Sequence, residues 1–136
     1  MIRSLSQAEL EREGQRLGRS LPAGALLTFE GDLGAGKTTF IKAIASGLGV
    51  AGAASSPTYA LVHRYRAPRG PVFHLDCFRL RSPDEAADLD WEGLLQEGAA
   101  ILVEWPERAG DWLPQPTRRF RLHHLPDPQR RGLETL

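Results

Sequence analysis

Gly31, Gly36, Lys37 and Thr38 stand in the spacing G-x-x-x-x-G-K-[ST] within GDLGAGKTTF, residues 31–40. Each residue type has a use in holding phosphate. Glycine lets the backbone turn tightly and bring N–H groups against phosphate oxygens with no Cβ in the way. A helix opening directly after the loop aims its free N–H groups and dipole at the same anion. The Lys37 ammonium can reach the β- and γ-phosphates of a nucleotide, and the Thr38 hydroxyl can ligate Mg²⁺. Thr39 can touch the α-phosphate, and Gly34, Ala35 and Gly36 complete the nucleotide-binding set. Of 17 basic residues only Lys37 and Lys42 are lysines. In so arginine-biased a chain, lysine in this slot points to a need that arginine does not meet. Asp32 is the odd member. A carboxylate facing phosphate is unfavourable, so its side chain is expected to point outward.

A phosphate loop of this kind needs a carboxylate nearby to steady Mg²⁺ and water. Two stand at the ends of apolar runs: Asp76 in VFHLDCF and Glu104 in ILVEW. The Glu104 run is the more apolar, hence the more central, and central strands end near such a loop. Glu104 is therefore the expected metal-side catalytic group with Thr38, and Asp76 the holder of a metal-bound or attacking water. Thr58, in SSPT after the loop's helix, is a candidate switch that senses the γ-phosphate and metal. Trp105, next to Glu104, either packs the core or lies at the site. His74 and Asp76 share a strand face, but no second cluster of ligands supports a transition-metal site. His123 and His124 are adjacent on an expected strand and so face opposite sides.

These groups need elements to carry them. Ser6 and Glu9 have capping-box spacing and open a helix to about Leu17. ALLTFE (25–30) is a strand leading into the loop, and Phe40, Ile41, Ile44, Ala45 and Leu48 mark one face of a helix from Lys37 to about Leu48. Strands are expected over 58–66 and 71–78, and Ser82-Pro83-Asp84-Glu85 is the signature of a further helix start. A short helix follows over 91–96. AAILVEW (99–105) lacks alternation, so it reads as a strand covered on both faces. ERAGDWLP is a turn or short helix, and 119–125 with 131–136 flank PDPQR as a terminal hairpin. The pattern predicts one α/β domain over 1–136. It is a three-layer phosphate-loop sheet, mostly parallel, with antiparallel edge strands and a C-terminal hairpin.

Bulk properties narrow the partners. The chain has 136 residues, with 17 basic and 17 acidic side chains in balance. That gives no whole-protein field for nucleic acid, though a local patch or an intermediary protein can still bring RNA close. One cysteine, Cys77, excludes an intramolecular disulfide. MIRSLSQAELEREGQ has no apolar h-region, and no run approaches a membrane span. The expectation is a soluble, cytoplasmic protein with no membrane partner.

Four blocks stand in order: GDLGAGKTTF, SSPTYALV, HLDCFRL and VEWPER. Together the chain resembles the TsaE (YjeE) family of small bacterial P-loop ATPases, from about Ser4 to the C-terminal hairpin. The resemblance implies a phosphate-loop α/β sheet with helices on both faces. It implies ATP (ADP) and Mg²⁺ as ligands. The implied role is in the threonylcarbamoyl modification of adenosine 37 in ANN-decoding tRNAs. There the ATPase works with a TsaB–TsaD heterodimer, in which TsaD transfers the group, and ATP hydrolysis resets the complex between turnovers. tRNA would then be met through the complex rather than directly. Lys37, Thr38 and Thr39 match the nucleotide site, and Asp76, Glu104 and Trp105 match positions tied to ATPase function. Gln7, and either Arg130 or Arg131, are the counterparts of an N-terminal residue and a C-terminal arginine that approach the nucleotide. The chain departs from the family at Cys77-Phe78, where Leu/Ile-Tyr is usual; Phe78 lacks the hydroxyl.

Three rivals remain on the residues alone. A small-molecule kinase needs room for an acceptor, yet the segment from Thr58 to Glu104 is nearly filled by strands and short helices. A GTPase needs an N-K-x-D guanine motif, which is absent. A module that binds ATP without turning it over needs fewer ionised groups than Asp76 and Glu104 supply. The Arg-rich end (Arg118, Arg119, Arg121, Arg130, Arg131) can meet tRNA, nucleotide or solvent.

Overall fold

The computed structural model describes residues 1–51 and 61–136. Among these residues seven strands form one sheet in the order β1-β7-β6-β2-β5-β4-β3. They are β1 (Ile2–Ser6), β2 (Ala25–Glu30), β3 (Val62–Tyr65), β4 (Val72–Asp76), β5 (Ala100–Glu104), β6 (Arg118–His124) and β7 (Arg130–Thr135). The four central strands, β6, β2, β5 and β4, run parallel. β3, β7 and β1 add antiparallel edges. The expected parallel centre, antiparallel edges and C-terminal hairpin are all present.

Helices cover both faces. α1 (Gln7–Ser20) and α2 (Lys37–Gly47) lie on one side. There Leu10, Phe40 and Ile44 pack with Leu27 and Phe29 of β2, Leu102 of β5 and Phe120 of β6. α3 (Trp91–Glu97) and three 3₁₀ turns (Cys77–Arg79, Pro83–Asp88, Pro106–Trp112) cover the other. There Leu26, Ile101 and Val103 meet Leu80, Ala86 and Ala109, with Leu94 packed alongside. Strand alternation sends neighbouring residues to opposite faces, so every position of Ala100–Val103 is buried. That is why the segment carries no polar alternation. Cys77 is buried in the second cluster, which with the nearby Asp76 and Glu107 charges pushes its thiol up to about 12.

Local chemistry sets the element ends. The Ser6 hydroxyl accepts from the Glu9 N–H at 3.2 Å, and the Glu9 carboxylate accepts from the Ser6 N–H at 2.9 Å, closing the expected capping box. α1 runs past Leu17 to Ser20. Arg69 donates to the Gly18 and Leu21 carbonyls at its end, at 3.2 and 3.0 Å. β4 stops at Asp76 rather than Phe78, because the Asp76 carboxylate accepts from the Phe78 N–H at 3.1 Å and starts a 3₁₀ turn. The helix expected at Ser82 is a 3₁₀ turn, Pro83–Asp88, and the Ser82 side chain makes no capping bond. Glu85 instead accepts from the Arg81 N–H at 2.8 Å. β1, unforeseen in the sequence, pairs with β7 at the sheet edge. Of the strand expected over 58–66, residues 62–65 are strand; 58–60 lie outside the described residues.

α1 and α2 touch backbone to backbone through Gly14, Gly18 and Gly47. A Cβ on Gly18 would stand 2.2 Å from the Ile44 carbonyl oxygen, and one on Gly14 2.6 Å from the Ala43 Cβ. Gly18→Ala should therefore destabilise the fold by about 1–3 kcal/mol, because overpacking outweighs the gain in helix propensity. A urea midpoint equal to wild type would show that the helices separate without cost. Among the described residues no helix is long and apolar enough to cross a membrane.

Candidate functional site

The loop between β2 and α2 lies in the centre of the sheet, at the C-terminal ends of the parallel strands. Gly31, Gly34 and Gly36 have φ of 136°, 78° and 108°, in the region that side chains rarely enter. Gly31 also abuts β6, where a Cβ would stand 2.5 Å from the Leu122 carbonyl oxygen. Gly36 caps α2 without any side-chain bond, so no cap side chain covers the opening N–H groups of the helix. His124 Nε2 donates to the Leu33 carbonyl at 3.0 Å and ties the loop to the end of β6.

Lys37 opens α2 and is 5% exposed. Its ammonium donates to the Gly31 carbonyl and lies 3.7 Å from the Trp105 ring centroid. Burial lowers its pKa, outweighing the nearby carboxylates of Glu104, Glu107, Asp76 and Asp32. Trp105 has φ 53° and ψ 51°, the one positive φ outside glycine among the described residues. Such a backbone costs about 1–3 kcal/mol and is held only by its surroundings. Here these are the bond from the Trp105 N–H to the Phe29 carbonyl, at 3.3 Å, and Phe78, whose ring centroid is 5.0 Å away.

β4 and β5 run in parallel register with Asp76 opposite Glu104, so the two strand-end carboxylates arrive together. His74 Nε2 lies 2.7 Å from Glu104 Oε2, and the two side chains are 15% and 13% exposed. Carboxylate oxygens only accept, so the imidazole N–H donates.

These groups meet in a cleft of about 400 Å³. Of the sequence candidates, Gln7, Gly34, Gly36, Lys37, Thr38, Thr39, Asp76, Glu104, Trp105 and Arg131 line it. Ala35, within the loop, is buried. Arg130 turns away: it donates to the Ser4 hydroxyl at 2.7 Å and the Ser4 carbonyl at 2.8 Å. Of the two arginines, Arg131 is the one at the cleft. Asp32 is exposed and absent from the cleft wall, as expected of it. Thr58 lies outside the described residues. Leu10, Leu33, Phe78, Pro128 and Gln129 also line the cleft, and sequence reading did not place them there. Phe78 alone carried a signal, two residues beyond Asp76.

The donor set suits a hard cation: a hydroxyl from Thr38 and carboxylates from Asp76 and Glu104. Among the described residues no group of three or more His, Cys, Asp or Glu side chains forms a metal cage.

The sequence model of the family described as "Threonylcarbamoyl adenosine biosynthesis protein TsaE" matches residues 4–132. The chain belongs to the TsaE family. It is 34% identical to a TsaE of Treponema pallidum over 127 residues, covering 93% of each chain. It is 39% identical to that of Synechocystis sp. over 105 residues, 75% of this chain and 64% of the relative. For a Nostoc sp. TsaE the share of the relative is 60%. The aligned region thus spans under two thirds of these two cyanobacterial relatives. Each is named a tRNA threonylcarbamoyladenosine biosynthesis protein. The crystal structure of Bacillus subtilis YdiB superposes with a TM-score of 0.75 at 27% identity, over 99% of this chain and 86% of that one. Three of the four blocks that stood apart in the sequence, the glycine loop, HLDCF and VEW, each contribute residues to the cleft wall, and most of SSPTYALV lies outside the described residues.

Proposed function

We propose that this TsaE-family chain binds ATP with Mg²⁺ and hydrolyses it to ADP and phosphate in support of tRNA threonylcarbamoyladenosine biosynthesis. Its partner would be a TsaB–TsaD heterodimer, and tRNA would be met through that complex. One observation carries the reading: a glycine loop with a buried lysine shares a single cleft with two strand-end carboxylates, Asp76 and Glu104. The names of the relatives supply the pathway.

In this reading the loop N–H groups and the α2 N-terminus take the α- and β-phosphates. Lys37 leaves the Gly31 carbonyl and the Trp105 ring for oxygens of the β- and γ-phosphates. That exchange is favourable because it gives a buried ammonium charge-assisted bonds to anionic oxygens in place of a neutral carbonyl. Thr38 and Glu104 would hold Mg²⁺, with Asp76 on the water side. When bound, the ion would supply neutralisation of the charge that develops on the phosphates. Asp76 would orient a water in line with the γ-phosphorus and take its proton as the bond to the β-γ bridging oxygen breaks. Arg131, Gln7 and the Pro128-Gln129 turn form the wall left for the remainder of the nucleotide.

Phosphate release from ATP and from GTP, measured with the chain alone and with purified TsaB–TsaD and tRNA, tests this. The expected result is ATP-selective hydrolysis that rises strongly with the partners. Binding without release even in the full mixture would make the chain a sensing module. Transfer of phosphate to a metabolite instead of water would make it a kinase.

A further inference from the structure

We infer that His74 is a positioning residue that sets the orientation of the Glu104 carboxylate. The inference rests on the hydrolytic reading above and adds a residue to it. Glu104 lines two spaces, the main cleft and a chamber of about 130 Å³ that shares Thr38, Asp76 and Glu104 with it. His74, His63 and Thr38 line the second. His74 therefore reaches the carboxylate from the chamber side, at 2.7 Å. Its ring sits 6.0 Å from that of His63, on the adjoining strand β3.

The geometry solves a specific problem. The Glu104 carboxylate ends a strand within electrostatic reach of the Lys37 ammonium. Left alone, it has three χ rotations with which to fold onto that cation. An N–H fixed to Oε2 removes this freedom and leaves Oε1 to the cleft. The neutral ring with its proton on Nε2 is enough. His74 can do this because parallel pairing sets it opposite Leu102, one pleat before the Asp76–Glu104 pair and on the same face. Outer partners of this kind typically change metal affinity or activity 10–100-fold when lost.

The test uses the full chain, with partners where hydrolysis requires them. His74→Phe keeps the ring without the N–H, whereas His74→Gln restores an N–H near the Nε2 position. The Phe variant should lower kcat by about 10–100-fold while the KM for ATP stays near wild type. The Gln variant should recover most of the loss. Calorimetric ATP binding with and without Mg²⁺ gives a second readout: the Mg²⁺-dependent gain in affinity should shrink in the Phe variant and persist in the Gln variant. Equal kcat and equal Mg²⁺ gain in all three proteins, with wild-type hydrolysis intact, would overturn the positioning role alone. So would parallel losses of kcat and melting temperature in both variants, which mark a purely structural pair. If His74→Phe does not fold, His74→Asn, whose amide stops short of the Nε2 position, takes its place with the same expectation. A wild type that binds ATP but never hydrolyses it overturns the inference together with the reading beneath it.

Discussion

Lys37→Ala is expected to weaken ATP binding by about 100-fold or more. The lysine is the single cation of the glycine loop, and its position at the start of α2 lets it span two phosphates. Hydrogen bonds to charged groups contribute about 1.5–3 kcal/mol each, and about 1.4 kcal/mol is tenfold in affinity. Two such bonds give at least the stated loss. The effect on stability should have the opposite character. Burial lowers the Lys37 pKa in the fold, so the charged form is disfavoured on folding, and that penalty fades as pH rises through the lowered value. Removing the ammonium at neutral pH should leave the melting temperature unchanged or raise it. Calorimetric titration with ATP and a thermal melt check both halves. Wild-type affinity in the variant would sink the phosphate-loop assignment, and a large fall in melting temperature would trace the lost binding to a damaged fold.

Glu104→Gln should separate binding from chemistry. The amide has the carboxylate's shape and keeps an oxygen for the His74 N–H, but it is a poorer ligand for a hard cation. A catalytic metal contributes several kcal/mol of transition-state stabilisation, so its loosening should cost about 10²-fold or more in rate. ATP affinity without Mg²⁺ should stay close to wild type, because the loop and Lys37 are untouched. Single-turnover hydrolysis beside equilibrium binding is the measurement. Equal loss of both would make Glu104 a structural residue, and intact hydrolysis would move the metal-side role to Asp76, which stands opposite it on β4.

The parts of the site that could be read from the sequence are the local ones. A strand, a glycine turn and a helix succeed one another within residues 25–47, and each leaves its own periodic or conformational mark. β5 was legible for a related reason: cover on two faces removes polar alternation. What stayed hidden depends on register between distant segments. His74 meets Glu104 only because β4 pairs with β5 in one parallel alignment. Arg130 and Arg131 are neighbours, yet the pleat sends one to Ser4 and the other to the cleft. β1 has a single partner strand, β7, and its pattern is mostly exposed, so little apolar signal marked it. At Ser82 the local pattern was right about a turn of helix and wrong about its kind. Pro83 packs beside Gly110, where an added Cβ would stand 3.2 Å away, and contact between these two 3₁₀ turns shapes the segment.

The glycine seam between α1 and α2 has a mechanical side. Gly14 and Gly18 bring the middle and end of α1 against α2, and a Cβ on Gly47 would stand 2.2 Å from the Gln15 carbonyl oxygen. With main chain against main chain at several points along the contact, neither helix can roll or slide without collision. Gln7 opens one of these helices and Lys37 the other. The two sides of the cleft that they supply therefore behave as a fixed anvil. Among the described residues, a grip that tightens on a ligand would come from the remaining walls, Asp76, Phe78 and Trp105 on strand ends and short turns and Pro128, Gln129 and Arg131 beside them.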